Sequence, residues 1–363
     1  MVDQKVRLAT EGVNPVYFST KFNKNSLFAL GVSRSFPCNP VMNEIELPGT
    51  GVQISQAVFG TSRLGGTFEA YNKSEGKKIL LRALEAGITT FDTADLYAQG
   101  RSEMLLGETL QKHRDEVLLA TKGGYVLSNK MKFLSRLKPL ARKFIKRGKG
   151  LAGVANRVRA AGISQNFSAD YLTKAVENSL RRLQTDRVDI YQLHSPDLAT
   201  LEGDEVFEVM QGLKEAGKIR SYGASLLSWE HLHVCLGKGL SFIQVEADLL
   251  GRQECKAELK RASEDGIVVT ARQPFASGLL ARDPGSWAVD DFGGDQDRLM
   301  RARKRAEKLR DLGDPFSLIL RYLVHHSNYP SFLFATTQMD HLKRNLDAIN
   351  LPPLEAAELE IFN

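Results

Sequence analysis

Eight short apolar runs, set along about 300 residues and separated by amphipathic stretches, constrain this chain more than any other feature. They are Ala57–Phe59, Ile88–Phe91, Val117–Ala120, Val188–Leu193, Ile219–Gly223, Phe242–Glu246, Ile267–Thr270 and Ser331–Ala335. Runs of this length read as strands buried on both faces, the pattern of parallel sheets. The stretches between them carry helical periodicity. KKILLRALEAG (77–87) puts Ile79, Leu80, Ala83 and Leu84 on one face and stops at Gly87. SADYLTKAVENSLRRLQ (168–184) begins at an N-cap Ser168 and turns Leu172, Val176, Leu180 and Leu183 inward. Eight strand–helix units fit a closed (β/α)8 TIM barrel better than an open sheet.

The pattern begins at Met42, where MNEIELPGTGVQIS predicts a hairpin of Ile45–Leu47 and Val52–Ile54 around a Pro-Gly-Thr-Gly turn. Residues 1–41 hold neither period for long. They are expected to be a dispensable N-terminal arm, or an over-extended reading frame ahead of Met42. The expected barrel spans 42–350, and 351–363 form a C-terminal tail. One interruption, 123–167, is too long for an ordinary strand-to-helix loop and reads as an inserted lid. Within it MKFLSRLKPLARKFIKRGKG spaces Phe133, Leu134, Leu137, Leu140, Ala141, Phe144 and Ile145 as on a helix, divided at Pro139. In a barrel this insertion leaves the C-terminal face, beside any active site.

The net charge of +6 is a property of that segment. Val117 to Ala169 contain 12 Lys and Arg and no Asp or Glu; without those 12, 37 basic residues face 43 acidic ones. A uniformly basic nucleic-acid binder is therefore excluded. A positive lid beside the site would concentrate an anionic cofactor or substrate, so kcat/KM should fall with ionic strength. No apolar run approaches the roughly 18 to 20 residues of a membrane span. Cys38, Cys235 and Cys255 have no metal-ligand spacing, and their odd, sparse number suits a reducing cytoplasm.

Several motifs are missing. No G-x-G-x-x-G opens a helix after a strand, and no G-x-x-x-x-G-K-[ST], H-E-x-x-H or C-x-x-C occurs. The positive signal lies at strand ends. Asp92 closes the second run and Tyr97 follows it; Lys122 ends the third run, and His194 the fourth. Neighbouring strands of a parallel barrel bring such ends together. Their chemistry suits carbonyl reduction. A phenol is a weak acid near neutrality, and an adjacent ammonium lowers its pKa. Lys122 supplies that cation, Asp92 holds it charged and oriented, and His194 donates an N–H to the substrate oxygen.

FDTADLYAQGRSEMLLGETL, then LATKGG, then DIYQLHSPD, resemble the aldo-keto reductase superfamily over about 52–348. The resemblance implies an NAD(P)(H)-dependent barrel, without metal, whose catalytic residues fall on Asp92, Tyr97, Lys122 and His194. It implies nucleotide contacts at Gly60, Thr61, Asp92, Ser225, Gln244 and Arg272. ARQPFASGLL resembles the diphosphate loop, giving Pro274, Phe275, Ser277, Gly278 and Leu279. FATTQMDHLKRNLDAI resembles the adenosine segment, giving Thr336, Thr337, His341 and Asn345. Two departures stand out: Leu226 replaces a common Asn, and Arg272 replaces a common aromatic residue. Thr337 and His341 stand where NADP-preferring relatives often carry a basic residue, with Lys343 and Arg344 close by, so NADP(H) and NAD(H) are both expected cofactors.

The long third loop is similar to that of sugar and pyridoxal dehydrogenases, which implies a polar aldehyde or sugar-like alcohol as substrate. The expected protein is thus a cytoplasmic oxidoreductase acting on a small carbonyl or alcohol, with neither nucleic acid nor an integral membrane association. Two alternatives share the same scaffold: a nucleotide-binding redox sensor, and a binder of anionic or membrane surfaces through residues 130–149.

Overall fold

Every one of the eight apolar runs forms a strand. The computed structural model describes residues 42–66, 72–127, 163–247, 249–251 and 255–362. A hairpin comes first, with β1 (Glu44–Leu47) antiparallel to β2 (Val52–Ser55). The strands β3 (Ala57–Gly60), β4 (Thr90–Asp92), β5 (Leu118–Gly123), β8 (Val188–His194), β9 (Ile219–Ser225), β10 (Phe242–Glu246), β11 (Val268–Arg272) and β12 (Ser331–Phe334) then close into a parallel barrel in that order. Between β5 and β8 lie β6 (Tyr125–Leu127) and β7 (Ile163–Gln165), an antiparallel pair. This pair brackets the inserted segment. The expected basic helix and its charge cluster, like the arm 1–41, lie outside the described residues.

Helices pack around the barrel where the amphipathic stretches predict them. The first runs from Lys73 to Glu85 and is capped by Asn72, whose side chain accepts from the Glu75 amide. It therefore starts one turn earlier than the hydrophobic period alone suggests. Gly87 follows it with φ of 87°, a left-handed turn that favours glycine. The helix Ala169–Leu183 starts after Ser168 as expected, but the Ser168 side chain makes no capping bond. Residues 351–362 lie along the outside of the barrel, with Leu354, Ile361 and Phe362 buried and the Phe362 ring stacked 4.0 Å from Tyr322.

Strand alternation places residues two apart on one face. On β5 that face carries Leu118, Ala120 and Lys122; on β8, Ile190, Gln192 and His194; on β11, Val268, Thr270 and Arg272. In each strand the series begins apolar and ends polar. The apolar ends Leu118, Ala120, Ile190, Phe242 and Val268 form one cluster with Ile45, Leu47, Val52 and Ile54 of the hairpin. Burying each such aliphatic side chain stabilises by about 1.5–3 kcal/mol, so the hairpin plugs the N-terminal end firmly. It is also latched by hydrogen bonds: the Ser55 amide donates to Thr90 Oγ1 at 2.9 Å, and Arg220 Nη2 donates to the Gly51 carbonyl at 3.0 Å. The polar ends gather at the opposite, C-terminal mouth. No helix among the described residues is long and apolar enough to cross a membrane.

Candidate active site

The mouth is organised around one ion pair. Asp92 is the last residue of β4 and Lys122 lies one strand over, near the end of β5; both are almost fully buried. Lys122 Nζ pairs with Asp92 Oδ2 and also donates to the Thr93 carbonyl at 2.8 Å. Asp92 Oδ1 accepts from Gln244 Nε2 at 2.7 Å and from Gln192 Nε2 at 3.2 Å. Burying either charge alone would be prohibitive, and this pairing with extra hydrogen bonds offsets the desolvation. Thr61 holds the same strand end, its amide and hydroxyl both donating to the Asp92 carbonyl at 2.9 and 3.0 Å.

Tyr97 reaches this pair from a tight turn, Tyr97–Gly100, in which Ala98, Gln99 and Gly100 are all left-handed. Two consecutive non-glycine residues in that region cost about 1–2 kcal/mol each, and strain of this kind clusters at functional sites. Lys122 Nζ sits 5.3 Å from the Tyr97 ring centroid. The phenol pKa is nevertheless raised, not lowered as the sequence predicts. Burial outweighs the lowering fields of Lys122 and Arg272, and Asp92 adds to the rise. His194 ends β8 with its ring edge-on to Tyr97 and to Tyr125, whose centroid is 4.8 Å away. Burial, then Lys122 and Arg272, hold the imidazole well below its ordinary pKa, so it is neutral at pH 7. Its Nδ1 is buried with no hydrogen-bond partner among the described residues.

The four strand-end residues are therefore together. The expected nucleotide contacts divide into several groups. Ser225 ends β9, buried, and its hydroxyl makes no hydrogen bond among the described residues. Gln244 spends its amide nitrogen on Asp92, and Thr61 spends its hydroxyl on the Asp92 backbone. Gly60 ends β3, where a Cβ would meet Leu333 Cδ2 at 2.9 Å. Arg272 Nη2 donates to the Leu226 carbonyl at 3.0 Å, while its Nε is buried without an acceptor among the described residues.

After β11 the chain runs through Pro274 and Phe275 into a turn where Ala276, Ser277 and Gly278 are left-handed and Leu279 accepts from the Trp287 indole. After β12, Thr336 Oγ1 accepts from the Gln338 amide at 3.1 Å, which organises the start of the helix Met339–Ile349. Thr337 is half-buried, His341 exposed and Asn345 buried on that helix. Because β11 and β12 are paired neighbours, these two segments leave the barrel side by side.

Four residues near the site escape the sequence reading. Gln192 binds Asp92, and Tyr125 meets His194. Arg63 Nη2 reaches the Ser277 carbonyl at 3.5 Å. Asp95 is pushed up to about 7 by burial and by Glu103. Its Oδ1 has no partner, and its Oδ2 meets the Tyr171 hydroxyl at 3.4 Å. Gln192 carried a legible signal, since it lies two residues before His194 on the same strand face. Among the described residues, no group of three or more His, Cys, Asp or Glu is placed to hold a metal ion.

The closed parallel barrel thus gathers a buried Asp–Lys pair, a tyrosine and a neutral histidine at its C-terminal mouth. The chain belongs to the aldo/keto reductase family, whose profile matches residues 57–363. It is thus an oxidoreductase of carbonyl and alcohol substrates, in a family that uses nicotinamide nucleotides.

It is 29% identical over 328 residues to the uncharacterized oxidoreductase YqkF of Bacillus subtilis, covering 88% of this chain and 95% of that protein. It is 28% identical over 330 residues to an NADH-specific methylglyoxal reductase of Escherichia coli, covering 85% and 94%. Among solved structures, the holo form of aldo-keto reductase AKR11C1 from Bacillus halodurans superposes with a TM-score of 0.65 at 27% identity, covering 88% of this chain and 95% of that one.

Proposed function

We propose that this chain interconverts a small aldehyde or ketone and its alcohol with NADP(H) or NAD(H). In this reading Tyr97 is the general acid in reduction and the general base in oxidation. The observation that carries it is the buried Lys122–Asp92 pair held beside the Tyr97 ring.

The bound nucleotide would supply a hydride to the carbonyl carbon, or accept one in oxidation. The raised pKa keeps the Tyr97 phenol protonated at neutral pH, the form a proton donor requires. As charge develops on the substrate oxygen, Tyr97 hands over its proton and the Lys122 ammonium stabilises the phenolate left behind. Asp92 keeps Lys122 charged and in place, and the neutral His194 ring offers one N–H to the same oxygen.

The residues present suit a nicotinamide nucleotide. The buried Ser225 hydroxyl at the end of β9, and the Arg272 Nε, which has no acceptor among the described residues, are donors at the mouth. Ser277, Gly278 and the segment Thr336–Asn345 would hold the remainder. A polar, sugar-like or 2-oxoaldehyde substrate suits the charged, hydrogen-bonding mouth, and the Escherichia coli relative named for methylglyoxal favours a small one.

The test is Tyr97→Phe, assayed at 340 nm against a panel of aldehydes and sugars with each nucleotide. Turnover should fall about 10²–10⁴-fold, with nucleotide affinity retained. Full turnover in the variant would contradict the proposal.

A further inference from the structure

Two cations act on both Tyr97 and His194: Lys122 and Arg272. They differ in how they are compensated. Lys122 is in contact with the Asp92 carboxylate. Arg272, the last residue of β11, donates from Nη2 to a neutral acceptor, the Leu226 carbonyl, and forms no ion pair among the described residues. The carboxylate beside it in register on β10 is Glu246, and that one pairs with Arg298 at 3.2 Å. Among the described residues Arg272 is therefore a positive charge with no carboxylate partner, in a half-buried place where water screens it poorly.

Any nucleotide that exchanges hydride here must bring its nicotinamide to the carbon whose oxygen meets Tyr97 and His194. Arg272 reaches the carbonyl of Leu226, the residue after Ser225, and Ser225 is paired in register with His194, so the guanidinium stands at the same part of the mouth. In carbonyl reduction the hydride takes two electrons and a hydrogen nucleus from the ring to the carbon, and the proton from Tyr97 completes the alcohol. The ring thereby changes from neutral to positively charged. Arg272 is indifferent to the first form and repels the second.

We propose that Arg272 sets the redox preference of the nucleotide site, so that the protein binds the reduced nucleotide more tightly than the oxidised one. This rests on the oxidoreductase reading above. With a tenfold preference the site then holds mainly reduced nucleotide until the oxidised form exceeds it by about tenfold, and it discharges the oxidised product more readily. A carbonyl reductase working against an oxidised pool needs both properties.

Titration calorimetry tests this with NADH, NAD+, NADPH and NADP+ on the unaltered protein, Arg272→Gln and Arg272→Lys. For the pair that binds, the oxidised form should have a Kd at least about tenfold weaker in the unaltered protein, about 1.4 kcal/mol. That ratio should fall about tenfold in Arg272→Gln and persist in Arg272→Lys, which keeps the charge. Arg272→Met, of similar volume, serves if the Gln variant does not fold. Equal affinities in the unaltered protein, or an unchanged ratio once the charge is removed, would overturn the role of Arg272 alone. If no nucleotide binds the unaltered protein, the oxidoreductase reading falls and this inference with it.

Discussion

The Tyr97 and His194 rings meet at 86°, with centroids 5.8 Å apart. This edge-to-face contact helps bury the imidazole that Lys122 and Arg272 already discourage from taking a proton. His194 is thus kept neutral by its surroundings, which leaves its hydrogen-bonding capacity unchanged through the neutral range.

An NMR titration of the His194 ring should therefore show no midpoint near 6.5, and kcat/KM should show no loss from its protonation until the pH is well below that value. The linked effect on stability has a definite sign. The unfolded chain protonates this histidine at about 6.5 while the fold does not, so stability is lost as pH falls below that point. A His194 midpoint at 6.5 would mean that the ring is solvated.

Asp95 works in the opposite direction. Its carboxyl titrates at about 7 in the fold against an ordinary value of 3.8, because burial and Glu103 oppose its charge. The fold holds that proton more tightly than the unfolded chain does. The associated stability is full below the ordinary value and is lost as pH rises through about 7. Asp95→Asn should leave the melting temperature at pH 4 unchanged and raise it by roughly 2–4 °C at pH 8. Equal shifts at both pH values would show that packing, not ionisation, is responsible.

Gly123, next to Lys122 on β5, has no room for a side chain, because a Cβ there would overlap the Tyr191 hydroxyl. That hydroxyl is buried without a partner. Gly123→Ala should destabilise by about 1–3 kcal/mol. Tyr191→Phe should be neutral or stabilising by up to about 1 kcal/mol, since it removes an unsatisfied polar atom. In the double variant most of the Gly123→Ala loss should return, giving a coupling of about 0.5–3 kcal/mol in denaturant unfolding. Strict additivity would place the clash elsewhere.

The barrel was legible because its strands are buried on both faces and so stand out as short apolar runs. Asp92, Lys122 and His194 were legible because each interrupts such a run at its end. The sign of the Tyr97 shift was not, since it depends on how deeply the ring is buried against how close Lys122 lies. Only the folded arrangement sets that balance. Tyr125 and Arg63 were hidden for a different reason. Arg63 sits in a turn and Tyr125 on β6, outside the barrel, and what such a residue touches depends on where the neighbouring strands end. Thr61 and Gln244 read as nucleotide contacts from the sequence; that the Thr61 hydroxyl and the Gln244 amide nitrogen also brace Asp92 was not legible there, because it depends on how the strand ends meet.

The hairpin β1–β2 has a consequence for the timing of events at the other end. With Leu47, Val52 and Ile54 stoppering the N-terminal end, a molecule that reacts beside Tyr97 and His194 comes and goes by the C-terminal mouth. A fold closed at its base thus gives arrival and departure the same side, so a bulky group lodged at the mouth delays both alike.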